Sequence, residues 1–395
     1  MDKAHKILND IYWVGVNDRE TDIFEALWPV PQGVSYNSYL INDNKIALVD
    51  TVRNNYQDSF FNKIQSVIGQ DKIDYLIINH MEPDHSGSLK SLVDRYPDIE
   101  IIGNEKTMNF LEGFYNISDN NRIIEDGEIL DLGHNQLQFF ITPMLHWPET
   151  MMTYEKNNKF LFSGDAFGSF GSLDGGILDK NLNLEDYENE IRRYYSNIVG
   201  KFSPIVQNTL SKLDNLEVNI IGATHGPIWK ENPGYIIDKY DKMSSFAKEN
   251  GVVIVYGSMY GNTKKIAEMI AEKLVKNNIK NIKIHDIART HISYIISEIW
   301  KYKGLILGSC TYNNELFPPM KELIDALNSR KIKNNLVGVF GSYSWSGGAV
   351  SQLQNFCNNN NLDLVEPIIK SKFAPDNEVR NKCEKLGGNF AVDMK

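Results

Sequence analysis

The sequence predicts a two-part α/β chain. Packed mixed sheets with helices on their outer faces come first, and a doubly wound five-stranded parallel sheet follows. Three observations predict this. Short apolar strands cluster in roughly the first 215 residues, with helical patterns between only some of them. From Gly251 onward, strand and helix alternate strictly. A chain of 395 residues is also long enough for two domains of about 100–200 residues each.

In the first part the candidate strands are 11–16, 35–41, 45–51, 74–80, 99–103, 137–142, 159–164 and 219–226. Segments 60–69 and 88–96 repeat apolar residues at helical spacing, and 186–200 and 203–216 read as helices. The polar stretch from Pro227 to Gly251 reads as an irregular exit and linker. This places the domains at 1–248 and 251–395. In the second part the strands are 252–257, 280–287, 304–309, 336–342 and 364–370. Between them lie the helical runs KKIAEMIAEKLVK, SYIISEIWK, MKELIDALN and AVSQLQNFC.

Hydrophobic residues make up 42% and charged residues 23%, which excludes a disordered, collagen-like or coiled-coil chain. The formal charge of −10 argues against nucleic acid and anionic membranes as partners. Cys310, Cys357 and Cys383 are odd in number and form no C-x-x-C, so a disulfide framework is not expected. No signal peptide and no apolar run of membrane-spanning length is visible. The expected setting is the cytoplasm.

The strand 74–80 ends in His80-Met81-Glu82-Pro83-Asp84-His85. Strong metal-binding side chains fill four of these six positions, and Pro83 stiffens the loop that carries them. Three more candidates end other strands: His146 after QFFITPML, Asp165 after KFLFSG and His225 after NIIGAT. Four histidines and three carboxylates fit a two-metal centre bridged by one carboxylate. The nitrogen/oxygen donor set, with open positions, favours iron or manganese over structural zinc.

In the second part, the strand 252–257 runs into Ser258-Met259-Tyr260-Gly261-Asn262-Thr263, and a helix follows. Strand, hydroxyl-bearing turn and helix N-terminus make an anion site. Neither a Walker loop nor G-x-G-x-x-G is present, so a mononucleotide fits better than a dinucleotide. Two further loops end later strands: Ser309-Cys310-Thr311-Tyr312-Asn313, and Ser342-Tyr343-Ser344-Trp345-Ser346-Gly347-Gly348. Their glycines permit close approach and their aromatics could stack on a ring.

The run H-x-E-x-D-H with the later His, Asp and His resembles the metallo-β-lactamase fold. Glu at the third position of the run is the pattern of the flavodiiron proteins. S-M-Y-G-N-T resembles the flavodoxin phosphate loop. Residues 3–390 together resemble a flavodiiron protein, with a metallo-β-lactamase-like αββα sandwich followed by a flavodoxin-like domain.

The resemblance implies two iron ions per chain and FMN. His80, Glu82 and His146 would hold one iron, Asp84, His85 and His225 the other, and Asp165 would bridge them. It also implies reduction of dioxygen to water, of nitric oxide to nitrous oxide, or both. A reduced flavin and two ferrous ions hold the four electrons that dioxygen needs. The expected partners are a separate electron donor such as rubredoxin or another small redox protein, and a second copy in a head-to-tail homodimer or a tetramer. A zinc hydrolase fused to a flavodoxin and a non-catalytic gas or redox sensor are the competing readings. Trp147, Tyr194 and Tyr195 are candidates for residues lining the metal pocket.

Overall fold

The computed structural model describes residues 3–394, and the chain divides into two compact units, Met1–Asp241 and Lys242–Lys395. The first unit has a seven-stranded sheet in the order His5–Lys6, Ile11–Trp13, Tyr39–Asn42, Ile46–Val49, Tyr75–Ile77, Glu100–Gly103 and Asn121–Ile123. A five-stranded sheet follows, ordered Ile129–Asp131, Gln136–Ile141, Met151–Glu155, Phe160–Gly164 and Ile220–Ala223. The sheets meet through aromatic side chains: Tyr39 of the first lies 5.9 Å from Phe160 and 5.0 Å from Phe162 of the second. Apolar faces buried against one another in this way supply most of the stabilisation.

Several elements of this unit escape the periodicity reading, the strand Met151–Glu155 and the helix Glu105–Tyr115 among them. The strand Met151–Glu155 is buried at every position, so it shows no polar alternation. The helix Glu105–Tyr115 buries only Thr107, Met108 and Leu111 and starts from a local signal instead. The Asn104 side chain accepts from the N–H groups of Lys106 and Thr107. The helix expected over 186–200 is α-helical at Leu184–Tyr194, then widens to a π-turn at Tyr195–Val199 and tightens at Gly200–Phe202. π-turns of this kind concentrate near functional sites.

The stretch expected as an irregular linker contains a helix, Pro233–Ser244. Its first residue is proline, which suits that position. Ile236 and Tyr240, one turn apart, are fully buried, and the polar residues between them hide the pattern. Asp179 fixes the start of this helix. Its buried carboxylate accepts from the N–H groups of Lys230, Glu231 and Asn232 at 2.9–3.1 Å.

The second unit is a parallel sheet in the order Ile282–Asp286, Glu249–Gly257, Tyr302–Tyr312, Leu336–Tyr343 and Asp363–Leu364. Numbered along the chain, this order is 2-1-3-4-5, the flavodoxin-like arrangement. The last strand is interrupted: Ile369–Lys372 also pairs with Leu336–Tyr343, and Pro367, which cannot donate a ladder hydrogen bond, lies in the gap. Among the described residues no helix is long and apolar enough to cross a membrane.

Asp179→Ala should lower the stability of the first unit by about 2–4 kcal/mol, since a helix start is lost and buried N–H groups are orphaned. Scanning calorimetry should show the first unit's transition moving down while that of the second stays in place.

Candidate metal centre and nucleotide site

The geometry of the first unit gathers all seven residues singled out in the sequence. They form two groups, His80, Glu82, His146 and Asp165 in one, and Asp84, His85 and His225 in the other. Asp165 sits between them. Its Oδ2 lies 2.9 Å from His146 Nε2 and 3.7 Å from His80 Nε2. Its Oδ1 lies 3.1 Å from His85 Nε2 and 3.8 Å from His225 Nε2. Glu82 closes the first group at 3.1 Å from His80 and 3.3 Å from His146. Asp84 closes the second at 3.2 Å from His85 and 3.3 Å from His225.

Neighbouring strand ends fix these side chains. Asp50, buried at positive φ just after the strand Ile46–Val49, accepts from the N–H of Asn79 at 2.8 Å. Thr51 N–H and Oγ1 both donate to the His85 carbonyl. The His225 turn is stapled to residues 35–37, just ahead of the strand Tyr39–Asn42: Asn37 Nδ2 donates to the carbonyls of Ala223 and Gly226, and His225 Nδ1 lies 2.7 Å from the Ser35 carbonyl. That bond puts the proton on Nδ1 and leaves the Nε2 lone pair facing the carboxylates. Thr224 Oγ1 donates to Asp165 Oδ1.

The charges show what the centre is built to hold. Burial disfavours a charged His85, yet Asp84 and Asp165 raise it to about 9. Burial likewise opposes charge on His146, and hydrogen bonds with Asp165 and Glu82 raise it to about 9. Burial works against ionised Glu82, but His146 and His80 hold it down at about 2. Without metal, protons stand in for cations. The substitution is incomplete: both Asp84 oxygens, His85 Nε2 and His225 Nε2 are buried without a hydrogen-bond partner. Acceptors and lone pairs converging in this way are satisfied by cations, so the residues fit two metal ions.

Aromatic rings wall the centre. Trp147 stands edge-on to His80 at 5.3 Å. Tyr194 lies 5.5 Å from His225, fully buried, with its hydroxyl unpartnered. Tyr195 points elsewhere, bonded to Ser203 and packed on Tyr240. Several residues near the centre escaped the sequence reading. Glu149 accepts from His80 Nδ1. Glu25 follows Phe24, whose ring lies 5.4 Å from His225. The Glu25 carboxyl is pushed up to about 8 by burial and by the charges of Glu82 and Asp84. Neither carries a sequence signal, because each reaches the centre only through the fold.

In the second unit, a cavity opens at the carboxyl ends of the strands, next to the reversal of strand order. Ser258, Met259, Tyr260, Asn262 and Thr263 line it from the first loop, Cys310, Thr311 and Asn313 from the second, and Ser342, Tyr343, Ser344, Trp345 and Ser346 from the third. Asn314 and Phe373 also line it and were not foreseen. The remaining expected residues stand behind the lining. Gly261 starts the helix Asn262–Lys276 at φ +90°, and Ser309 Oγ accepts from Phe317 N–H. Tyr312 turns into a neighbouring groove. Gly347 precedes the helix Gly348–Asn359. A Cβ on Gly348 would meet the Asn314 carbonyl at 1.9 Å, so only glycine lets that helix approach the hairpin. Thr263 and Ser342 join the first and third loops through their hydroxyls at 2.8 Å.

A family model described as ODP family beta lactamase matches residues 34–226, and the flavodoxin model matches 254–387. The anaerobic nitric oxide reductase flavorubredoxin of Escherichia coli O1:K1 is 32% identical over 391 residues, covering 98% of this chain and 81% of that one. This chain belongs to the flavodiiron proteins. The structure of rubredoxin oxygen:oxidoreductase from Desulfovibrio gigas superposes on it with a TM-score of 0.95, at 29% identity, covering 99% and 98% of the two chains. A flavoprotein from Thermotoga maritima gives 0.92 at 28% identity, with the same coverages. This flavodiiron protein is therefore an oxidoreductase with a non-haem di-iron centre and FMN, and neither a hydrolase nor a sensor is favoured.

Two predictions follow from the geometry of the sites. Metal uptake by the apoprotein should release protons into weak buffer, and affinity should fall as pH drops below about 9, where His85 and His146 must each give up a proton. Thr263→Val should weaken FMN binding about tenfold, the worth of one or two hydroxyl hydrogen bonds, measurable by fluorescence of released flavin.

Proposed function

We propose that this chain reduces dioxygen, nitric oxide or both, with His80, Glu82 and His146 holding one iron, Asp84, His85 and His225 the other, and Asp165 bridging them. One observation carries the ligand assignment: the two oxygens of Asp165 face the two groups separately. Bound FMN would pass electrons singly to the iron pair, and the irons would offer open positions to a diatomic molecule.

The protein's part is to place and enclose. The ring of Trp147 covers the His80–His146 side of the pocket. The Tyr194 ring lies 5.5 Å from His225, and its buried, unpartnered hydroxyl is held neutral by burial and by the charge of Asp165. In the second unit, Ser258 and Thr263 with the start of the helix Asn262–Lys276 would take the phosphate. Tyr343, Trp345 and Phe373 offer faces to the ring system.

The two units also differ in charge. Residues 1–241 carry 20 Lys and Arg against 37 Asp and Glu, a formal −17, and residues 242–395 carry 21 against 14, a formal +7. Each exposes large apolar side chains near its site: Ile23 and Leu27 (51% and 59%) in the first, Tyr260 and Trp345 (91% and 88%) in the second. Exposed apolar side chains on units of opposite net charge favour association of the first unit of one copy with the second unit of another. This supports a head-to-tail homodimer in which the flavin of one copy serves the iron pair of its partner. The basic second unit likewise suits an acidic donor protein such as a rubredoxin.

Mixing two inactive variants tests this pairing. A chain disabled at the iron pair (Asp165→Ala) and one disabled at the flavin (Thr263→Val with Gly261→Val) should regain about a quarter of wild-type turnover after subunit exchange, because half the dimers then hold one intact pair. No recovery, with mixed dimers verified by native mass spectrometry, would place electron transfer within one chain. Measuring dioxygen and nitric oxide consumption side by side then fixes the substrate.

A further inference from the structure

We infer that the two metal positions are unequal and fill in order, with Glu149 as the positioning residue that makes the His80–Glu82–His146 position the tighter one. This rests on the two-iron reading given above.

The donor sets themselves are matched. Each position has two histidines, one carboxylate of its own (Glu82 or Asp84) and one oxygen of Asp165. The difference lies behind the histidines. His80 Nδ1 is 2.8 Å from Glu149 Oε1, with both side chains fully buried. Among the described residues, no other histidine of the centre has its outer nitrogen on a carboxylate. His225 Nδ1 meets a neutral carbonyl, that of Ser35. His85 Nδ1 is buried with no hydrogen-bond partner.

A carboxylate behind an imidazole fixes the tautomer and makes the metal-facing nitrogen a stronger donor. In a dry interior its charge also acts on the cation directly, with little screening. Glu149 is well placed for this. Met81 N–H donates to the same Oε1 at 3.0 Å, and Asn104 Nδ2 donates to the Glu149 carbonyl. Oε2 finds no hydrogen-bond partner, so its share of the charge is not spent elsewhere. Asp50 also acts on His85 by charge, but through space and with no hydrogen bond to its ring, so only the first position has a carboxylate bonded directly to the back of a histidine.

The test titrates full-length apoprotein, with FMN retained, with ferrous iron under anaerobic conditions. Native mass spectrometry reads occupancy and Mössbauer spectroscopy the iron environment. At one iron per chain, singly loaded chains with one quadrupole doublet should dominate. Glu149→Gln keeps an acceptor for both N–H groups, removes the charge and places an amide NH2 where Oε2 stands. It should weaken the first step 10–100-fold and shift that doublet, leaving the second step unchanged. His225→Ala should retain the tight step, and His80→Ala should lose it.

A statistical mixture of empty, singly and doubly loaded wild-type chains at one equivalent would overturn the inference, even if no variant folds. So would two irons bound to Glu149→Gln with wild-type affinities, or loss of the tight step in His225→Ala. Failure of the wild type to bind iron at all would instead overturn the two-iron reading itself.

Discussion

The structure of the first unit depends on one electrostatic constraint: three carboxylates and four imidazoles must share one largely buried volume. Carboxylates brought this close repel, and imidazole lone pairs add to that repulsion unless cations or protons intervene. The fold meets the cost by holding each side chain from behind. Ser35, Asp50, Thr51, Glu149 and Thr224 each bond a ligand residue or its backbone. These ties come from separate strand ends and loops, so the centre and the sandwich stabilise each other.

The second unit solves a different problem. Its site must cradle a phosphate and a flat ring, so it relies on backbone approach more than on charge. Glycines at 261 and 348 let a helix start and a hairpin close on the cavity, and the hydroxyls of Thr263 and Ser342 join two of its walls. A parallel sheet with its order reversed beside the first strand leaves such a crevice as a matter of topology. The opposite formal charges of the two units are the physical basis of the proposed head-to-tail pairing of copies.

The two-part architecture, the seven residues that the fold gathers into one cluster and the three loops around the second unit's cavity could all be read from the chain alone. These were legible because strand periodicity, helix spacing and ligand-rich turns are local signals. The Pro233–Ser244 helix and the Met151–Glu155 strand were not, since burial on one narrow stripe or on both faces erases local periodicity. Which oxygen of Asp165 faces which group is settled by packing alone, as is the position of Glu149, 69 residues from His80 along the chain, behind that histidine. Contacts between residues this distant are set by how sheets pack, and no local pattern in the chain encodes them.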